Sequence, residues 1–440
     1  MQTVITYYKN LTRWDIKYFV SNLYFSDNLI ELREFLIPKA EKIKKDDYLG
    51  DLDVVEKITF NNGIIHFRKE RATGMDLFKG RKGDLLTSKI NIHQGAVAIC
   101  PKDLVCSTHY HLYQINEDKI NPAYLVLVLR SALFLRKIIK LKASSIKNEI
   151  GPKLFLDFKI YVPSMAKQKR IVDYWHNEQK KAQELMQKAD EKEKAIDNYV
   201  LQELGIENKK YEKRKGAFVA WFSNLERWGI NFNSYNWNLD NIFKSKQYKT
   251  ISLSIVAIIN KTYQFSEEDL KKEVSFVPME SVSDIEGKII TPQIKKLDDI
   301  KNGFTRFSEG DIIFAKITPC MENGKCAIAK NLTNSIGIGS TEFHVLSPKN
   351  DLVDTEYLWI FLRLKTFRKS AERFFTGSAG QQRVPANFLK EIKIPIPPLL
   401  KQKEITMTVK AIKREINDMR NKADIILETA KNKISKILAM

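Results

Sequence analysis

The sequence predicts an α+β chain: two pseudo-repeated mixed α/β domains separated by two long antiparallel coiled-coil helices. A proline-marked junction occurs twice, a run with coiled-coil periodicity follows each junction, and the segments before the junctions resemble each other. We therefore expect a first domain over 1–164, a first long helix over 165–205, a second domain over 206–398 and a second long helix over 399–440.

The second junction, IPIPPLLKQKEI, is the clearest local signal in the chain. Pro395, Pro397 and Pro398 lack an amide hydrogen and favour extended backbone before them, so a strand must end here and a helix can begin beyond them. Apolar residues then recur at spacings of four and three, as in a coiled-coil seam. The predicted seam residues are Ile405, Val409, Ile412, Ile416, Met419 and Ile426.

The first junction, VPSMAKQKRI, aligns with the second without a gap, Pro163 with Pro397. Each helix then has about 35 to 40 residues and spans roughly 50 to 60 Å. The alternative is a pair of unrelated charged helices on separate domains, which the shared junction disfavours. The same register places Ile171, Trp175, Leu185 and Ile196 on the seam, with Glu178 and Lys192 as interruptions.

The domains before the junctions share three landmarks in the same order. LTRWDIKYF corresponds to LERWGINFN, and KGDLLTSKI, a Gly-Asp turn followed by a short strand, corresponds to EGDIIFAKI. STHYHLYQ and STEFHVLS then lead to helices that begin near Pro122 and Thr355. Residues 40–80 and 245–305 do not align by eye, as expected when one scaffold carries surfaces for different targets.

Charge points to a polyanionic partner. The formal net charge is +20 and the pI is near 9.5, and nucleic acid is the commonest partner of such a surface. A solvated helix face is the alternative explanation for many of the lysines. No apolar run approaches the length of a membrane span, and the N-terminal residues lack a secretory h-region, so the expected location is the cytoplasm.

Metal and catalytic signatures are weak or missing in the sequence. Five residues separate Cys100 from Cys106, and Cys320 from Cys326, so we interpret these cysteines as strand residues rather than disulfide partners or zinc ligands. A metal site that includes the nearby His109 and His111 is the alternative interpretation.

We find no phosphate-binding loop, no Gly-x-Gly-x-x-Gly turn and no Asn/Asp-Pro-Pro-aromatic tetrapeptide. Pro101-Lys102-Asp103 lacks the partner acid of a metal-dependent nuclease. His111 and His344 correspond across the repeat and are interpreted as packed scaffold residues. The chain is therefore predicted to be non-catalytic.

Polar loops beside the repeated scaffold are the candidate binding sites. Glycines let a backbone approach a phosphate closely, and Gln and Arg can make bidentate contacts with adenine and guanine edges. An ordinary solvated loop or turn is the alternative for each, above all at Asn323-Gly324. The candidate DNA-binding residues are Lys89, His93, Gln94, Ser144, Ser145, Lys147 and Asn148 in the first half, and Lys316, Thr318, Lys325, Ser378, Gln381, Gln382 and Arg383 in the second.

Four motifs resemble the specificity subunits of type I restriction-modification systems, and the likeness covers essentially the whole chain. They are GDIIFAKITPCMENGKCAIA, GSTEFHVLSP, GSAGQQRV and IPIPPLLKQKEI. The first half departs from the pattern: Ser164 stands where the second half has Pro398, Cys106 stands in the place of Gly339, and SSIKNE replaces SAGQQR.

The resemblance implies that each domain is a target-recognition domain that reads one half of a bipartite double-stranded DNA site in the major groove. The helices would hold the domains apart, and half-sites one helical turn apart lie roughly 34 Å from each other. It also implies that two modification subunits dock on the helices and methylate adenine with S-adenosylmethionine, and that motor-nuclease subunits use ATP and Mg²⁺. The chain itself would bind no cofactor.

Two other classes of protein remain as alternatives. One is a coiled-coil scaffold or interaction protein with non-specific DNA affinity. The other is a fused methyltransferase-specificity polypeptide, which the missing motifs disfavour.

Overall fold

The computed structural model describes residues 29–143, 150–206 and 242–438, together with residue 219; residues 61, 72, 379 and 380 are excepted. The chain forms two compact units. The first holds residues 1–186 and 420–440, and the second holds residues 187–419. The division therefore falls within both long helices. The segments LTRWDIKYF and LERWGINFN lie outside the described residues.

The described strands of the first unit form three sheets, in the orders β1-β11, β2-β10-β7-β8 and β3-β6-β9-β4-β5. The bounds are β1 Leu29–Glu31, β2 Leu36–Lys39, β3 Lys42–Ile43, β4 Asp53–Ile58, β5 Ile65–Phe67, β6 Leu77–Gly80, β7 Leu85–Ser88, β8 Val97–Ile99, β9 Leu104–Cys106, β10 Tyr110–Ile115 and β11 Lys159–Tyr161.

Those of the second unit also form three sheets, in the orders β12-β21, β13-β20-β17-β18 and β15-β14-β19-β16. The bounds are β12 Thr250–Ser252, β13 Ala257–Ile259, β14 Glu273–Val277, β15 Gln293–Lys296, β16 Thr305–Ser308, β17 Ile312–Ala315, β18 Cys326–Ile328, β19 Ile336–Gly339, β20 Phe343–Pro348 and β21 Lys393–Pro395.

The two units share most of their sheet topology, and the five-stranded sheet of the first unit has one further strand, β3. In each, the strand after the Gly-Asp turn pairs antiparallel with the strand of the Ser-Thr motif, β7 with β10 and β17 with β20. The third sheet of each unit contains one parallel pair, β4 with β9 in the first unit and β14 with β19 in the second. Residues 40–80 and 245–305, whose sequences do not align, thus supply equivalent strands. The repeat extends further in the fold than it does in the sequence.

Helices follow the strands at the predicted positions. Asn121 and Asp354 cap the two helices expected near Pro122 and Thr355, since each side chain accepts a hydrogen bond from a tyrosine amide three residues on. The helices are α1 Pro122–Leu129, α2 Ala132–Ala143, α3 Pro152–Leu156, α4 Met165–Glu203, α5 Leu253–Val256, α6 Glu267–Leu270, α7 Thr355–Arg363, α8 Lys365–Glu372, α9 Ala386–Glu391 and α10 Leu399–Leu438. In the part of the chain that is described, no helix is long and apolar enough to cross a membrane.

Helices α4 and α10 have 39 and 40 residues and pair antiparallel within the second unit. Glu203 forms an ion pair with Lys401, and Lys192 forms one with Glu415, at 2.7 Å each. Residue numbers therefore increase along one helix in the direction in which they decrease along the other. Lys192 interrupts the apolar seam because it faces this carboxylate. Ile196, Ile405, Val409 and Ile416 are buried in the core of this unit, and Ile412 and Met419 are half-buried against it.

The same pairing occurs inside the first unit, between the start of α4 and the end of α10. Ile171 is buried in one cluster with Ile434 and Leu438, and Trp175 packs against that cluster. Leu185 and Ile426, also predicted for the seam, are half-buried. The α+β fold class with paired long helices is confirmed.

A buried glutamine joins each long helix to the domain beside it. Gln402 accepts a hydrogen bond from the Asp354 amide at 2.7 Å and donates to the carbonyl oxygens of Pro397 and Leu352. Gln168 accepts from the Asn121 amide at 2.8 Å and donates to the Pro163 carbonyl. Both side chains are fully buried, so these bonds are shielded from water.

Replacing Gln402 with leucine is expected to lower the free energy of unfolding by about 2 to 3 kcal/mol, because it leaves a buried amide and buried carbonyls without partners. The midpoint of urea unfolding measures this loss. Lys403→Ala, one residue further along the same helix and exposed, should change stability by less than about 0.5 kcal/mol. Equal effects of the two substitutions would contradict the assignment of this role to Gln402.

Arg130 and Arg363, which correspond across the repeat, each stabilise a turn in the segment whose sequence does not align between the two halves. Arg130 donates to the Phe60 carbonyl, and Arg363 donates to the carbonyls of Asp284 and Ile285. A Cβ atom at Gly63 would lie 1.8 Å from the Arg130 guanidinium, and one at Gly287 would lie 2.3 Å from that of Arg363. Glycine is therefore required in both turns, which are hairpins with the same pattern of main-chain hydrogen bonds.

Some local predictions were wrong in detail. Cys106 and Cys326 lie in strands, but Cys100 follows β8 and Cys320 lies in a turn. Strands β7 and β17, expected within KGDLLTSKI and EGDIIFAKI, end at Ser88 and Ala315, directly before the Lys-Ile pairs of those motifs.

Candidate DNA-contacting surface

The polar loop of the second unit is closed by a short ladder of main-chain hydrogen bonds. Thr376 and Arg383 exchange two bonds of 2.9 Å, the Thr318 amide donates to the Gln382 carbonyl, and the Val384 amide donates to the Lys316 carbonyl. The structure thus brings together predicted residues from two separate loops. Ser378 and Gln381 are exposed, and Gln382 is half-buried.

Gly377 makes the sharp bend of this loop possible. Its φ is +109°, in the region that favours glycine, and a Cβ atom there would lie 2.9 Å from the Gln381 carbonyl oxygen. The adjacent Ser378 is carried to the exposed side of the loop. Glycine at this position is therefore explained by the bend of the loop itself, and its predicted close approach to a phosphate stays a prediction.

Arg383 is fixed to the sheet by Glu342. The guanidinium donates to the Glu342 carboxylate through Nε, at 3.1 and 3.0 Å, and through Nη2, at 2.7 Å. A third nitrogen, Nη1, donates to the Gln381 carbonyl. The hydrogen bond from Arg383 lowers the pKa of Glu342, so the carboxylate stays charged. The pair ties the loop to the start of β20.

Lys325 is also engaged within the fold. Its Nζ donates to the Met279 carbonyl at 2.8 Å, and its amide donates to Cys320 across the turn at Asn323-Gly324. Lys316 and Thr318 lie just after β17 and are half-buried. Among these three candidate residues, Lys316 is the one whose side chain borders open space next to the loop.

That space is a recess of about 350 Å³ whose charged lining is entirely cationic among the described residues. Lys261, Arg306 and Lys316 carry the charge, and Tyr263 and Phe304 supply aromatic walls. Arg306 donates to the carbonyl oxygens of Tyr263 and Lys301, and these uncharged groups do not neutralise its charge. The recess therefore attracts anions.

His344 connects the recess to the loop. It is buried, and its Nε2 atom donates to the Val384 carbonyl at 2.8 Å, while its Nδ1 atom accepts from the Asn260 amide nitrogen at 3.1 Å. This arrangement requires a neutral ring, since a protonated Nδ1 has no lone pair. Burial lowers the pKa of His344. The interpretation of this histidine as a scaffold residue agrees with these contacts.

Stability should consequently fall in mild acid. At pH values above the ordinary histidine pKa of about 6.5, both the folded and the unfolded chain carry neutral His344. Below it the unfolded chain takes up a proton that folded His344 resists, which costs at most about 1.4 kcal/mol per pH unit. Urea unfolding at pH 7.5 and 5.5 tests this. His344→Gln should show a smaller difference between the two pH values, and an unchanged difference would exclude the histidine as its source.

The first unit shares part of this arrangement. Its Lys89 amide donates to the His109 carbonyl, as Lys316 does to Glu342. His93 lies in a 3-10 helix, Ile92–Gln94, and its Nδ1 atom contacts the Ile90 carbonyl at 2.9 Å. Lys89 and His93 are half-buried and Gln94 is exposed. Ser144, Ser145, Lys147 and Asn148 lie outside the described residues.

The sequence analysis missed Glu342 and Asn260. Glu342 lies in the STEFH motif that was identified, but its first-half counterpart is His109, so the motif did not mark it as the partner of an arginine. Asn260 has a positive φ of 54°, which asparagine tolerates better than most residues. Across residues 29–206 and 242–438, apart from their excepted positions, no group of three His, Cys, Asp or Glu side chains could hold a metal ion.

The fold and the site define a class of protein: a duplicated α+β protein with long paired helices, in which a polar loop borders a cationic recess. The chain belongs to the family described as the type I restriction modification DNA specificity domain, whose model matches residues 29–193 and 245–426. The two matched segments correspond to the two copies of the repeat, and the sequence resemblance is confirmed.

Two curated relatives match part of the chain. The EcoAI specificity subunit of Escherichia coli is 44% identical over 154 residues, 35% of this chain and 26% of the relative. The EcoEI specificity subunit of Escherichia coli is 38% identical over 161 residues, 37% of this chain and 27% of the relative. The aligned part spans about a quarter of each relative.

A solved structure shares the fold. A chain from a study of complex assembly and conformational transition of the type I R-M system superposes with a TM-score of 0.57 at 15% identity. The alignment covers 93% of this chain and 96% of the other. At that identity the likeness establishes the fold and nothing about individual contacts.

Proposed function

We propose that the chain is the non-catalytic, sequence-specific DNA-binding subunit of a type I restriction-modification system and recognises a bipartite target. The observation that carries the proposal is the cationic, aromatic-walled recess of Lys261, Arg306 and Lys316 beside the glycine-dependent loop, in a member of this family. DNA phosphates match such a recess, and the loop offers exposed amides to base edges.

The proposed division of labour follows the two copies. Residues 1–164 and 206–398 are target-recognition domains, and residues 165–205 and 399–440 are the spacer helices. In the second domain, Lys316 and Lys261 contact phosphates, while Ser378, Gln381 and Gln382 contact bases. Arg383 orients the loop through Glu342, and Thr318 and Lys325 support its base. In the first domain, Lys89, His93, Gln94, Ser144, Ser145, Lys147 and Asn148 have the corresponding role.

Partner subunits supply the chemistry in this proposal. Two modification subunits dock on the long helices and bring S-adenosylmethionine, and motor-nuclease subunits bring ATP and Mg²⁺. Leu400 and Met407 support a docking face, since they lie seven residues apart on α10 and are 83% and 68% exposed. Such exposure of large apolar side chains on one face favours a protein partner.

The first experiment is a genome-wide map of methylated adenines in the host with the gene intact and deleted. One split motif should disappear on deletion. Exchange of residues 206–398 for the equivalent segment of another family member should then change one half of the motif and leave the other half intact.

Other outcomes would contradict specific parts of the proposal. A simultaneous change of both half-sites would exclude independent recognition by the two domains. An unchanged map, together with purified protein that binds unrelated duplexes equally well, would favour a coiled-coil scaffold with non-specific DNA affinity.

A further inference from the structure

A second cationic cavity lies inside the second unit, apart from the recess beside the loop. It has a volume of about 680 Å³ and is bordered by α4, α7, α8 and α10. Among the described residues, seven basic and three acidic side chains line it: Lys194, Arg363, Lys365, Arg368, Lys369, Arg373 and Lys413 against Glu193, Asp197 and Asp284. Its volume is within the range of small-ligand sites.

Hydrogen bonds in the wall satisfy the arginines without neutralising them. Arg363 donates to the carbonyl oxygens of Gly324 and Cys326 through Nη1, in addition to its contacts with Asp284 and Ile285 through Nη2. Arg368 donates to the carbonyl oxygens of Glu322 and Arg363. Carbonyl groups carry no net charge, so both guanidinium charges still contribute to the potential in the cavity.

Asp197, one of the three acidic residues, already accepts hydrogen bonds from main-chain amides. The Asp197 carboxylate accepts hydrogen bonds from the Lys365 amide at 3.1 Å and the Thr366 amide at 2.8 Å, and from the Thr366 hydroxyl at 3.0 Å. It therefore caps the start of α8. Because these donors are uncharged, an anion that binds the cationic side chains of the cavity does not have to break a salt bridge of Asp197.

Lys413, in the lining of the cavity, lies against an aromatic ring. Its Nζ lies 4.3 Å from the ring centre of Trp359, and no described residue accepts a hydrogen bond from it. Burial and the repulsion of Arg363 lower the pKa of Lys413 to about 7, with Lys288 acting in the same direction and Glu193 and Cys326 opposing it. The amine is thus poised to gain a proton when a negative charge arrives beside it.

We propose that this cavity binds a small phosphate-bearing anion, with Lys413, Lys194 and Lys369 as the side chains that contact it. Lys194 and Lys369 are exposed and line the same cavity, so they are available to a ligand from solution. Several cations around one enclosed volume match the multiple charges and acceptor oxygens of phosphate better than a single carboxylate. A nucleic-acid backbone offers the same phosphate chemistry as a free anion, and the experiment below distinguishes the two sources.

Inorganic pyrophosphate is the probe, titrated into the full-length protein by isothermal calorimetry. Wild-type protein should bind it, and Lys413→Met should weaken binding at least about tenfold, since a charge-assisted contact is lost. Lys403→Met, an exposed lysine on the same helix but outside the cavity, should bind like wild type. Melting curves without ligand verify that each variant is folded.

The pH dependence separates Lys413 from general charge attraction. Wild-type affinity should weaken about tenfold between pH 7.5 and 8.5, because one proton must be taken up on binding. Lys413→Arg should still bind and should lose this pH dependence, since its guanidinium stays charged. This variant also replaces Lys413→Met as the decisive one if the methionine protein does not fold.

Three results would overturn the proposal. One is the absence of pyrophosphate binding, and another is equal weakening by Lys413→Met and Lys403→Met. The third is a duplex oligonucleotide that binds through Lys413 while pyrophosphate does not, which would assign the cavity to the DNA backbone. Because this experiment measures pyrophosphate binding, a negative result would contradict the cavity proposal and would leave the methylation test of DNA specificity unaffected.

Discussion

Arg383→Ala is expected to weaken binding to the methylation target at least about tenfold, a loss typical of a specific DNA-contacting group or its direct support. Arg383 fixes the loop to β20 through the two oxygens of Glu342, and alanine removes that anchor together with the contact to the Gln381 carbonyl. Fluorescence anisotropy with a duplex that carries the motif from the methylation map measures the loss. Lys271→Ala, an exposed lysine elsewhere in the same unit, is the control.

A double-mutant cycle with Glu342 distinguishes positioning from contact. If Arg383 acts only by holding the loop, Glu342→Ala should weaken binding as much as Arg383→Ala, and the double variant should be no worse than either. A larger loss for Arg383→Ala than for Glu342→Ala would mean that the arginine itself contacts DNA. A small loss in both variants would exclude the loop from recognition.

Gly337→Ala is expected to lower the free energy of unfolding by about 3 kcal/mol, at the upper end of the usual cost of overpacking. Gly337 pairs directly with Phe307 across β19 and β16. A Cβ atom at position 337 would lie 2.0 Å from Cε2 of that ring, which is buried and has no room to turn away. Calorimetry should show a melting temperature that is roughly 6 to 12 °C lower.

Gly74→Ala is the matched control for this substitution. A Cβ atom there would meet no heavy atom within 4 Å, and the backbone is not in the left-handed region. Its melting temperature should stay close to that of wild type. Similar losses for the two alanines would indicate a general effect of glycine replacement rather than a clash with Phe307.

The sequence predicted the fold where side-chain patterns are strong. Prolines and an apolar repeat defined the long helices, which begin at Met165 and Leu399. The Gly-Asp turns were visible because each turn residue has a local backbone requirement. Equivalent strands in residues 40–80 and 245–305 were not visible, because a strand needs only alternating burial and tolerates many sequences. Their common topology depends on pairing with distant strands, and sequence comparison does not register that.

The candidate site could be predicted only in outline. Gly377 and the polar residues after it marked a loop, since glycine and amide side chains have recognisable local roles. The contacts that organise this loop connect residues that are far apart in the chain: Glu342 with Arg383, Asn260 with His344, and His344 with Val384. Such pairs follow from the sheet register, which one sequence does not specify. The base-contacting assignment of the loop residues stays a prediction.

The glutamine joints have a consequence for how such proteins change over time. Gln168 and Gln402 bind only amide hydrogens and carbonyl oxygens of the neighbouring domain. Those atoms are present whatever side chains the domain carries, so these hydrogen bonds place almost no demand on its sequence. A different domain with the same main-chain path at these positions can therefore form the same hydrogen bonds with the helix. Such an exchange requires no change in the glutamine itself.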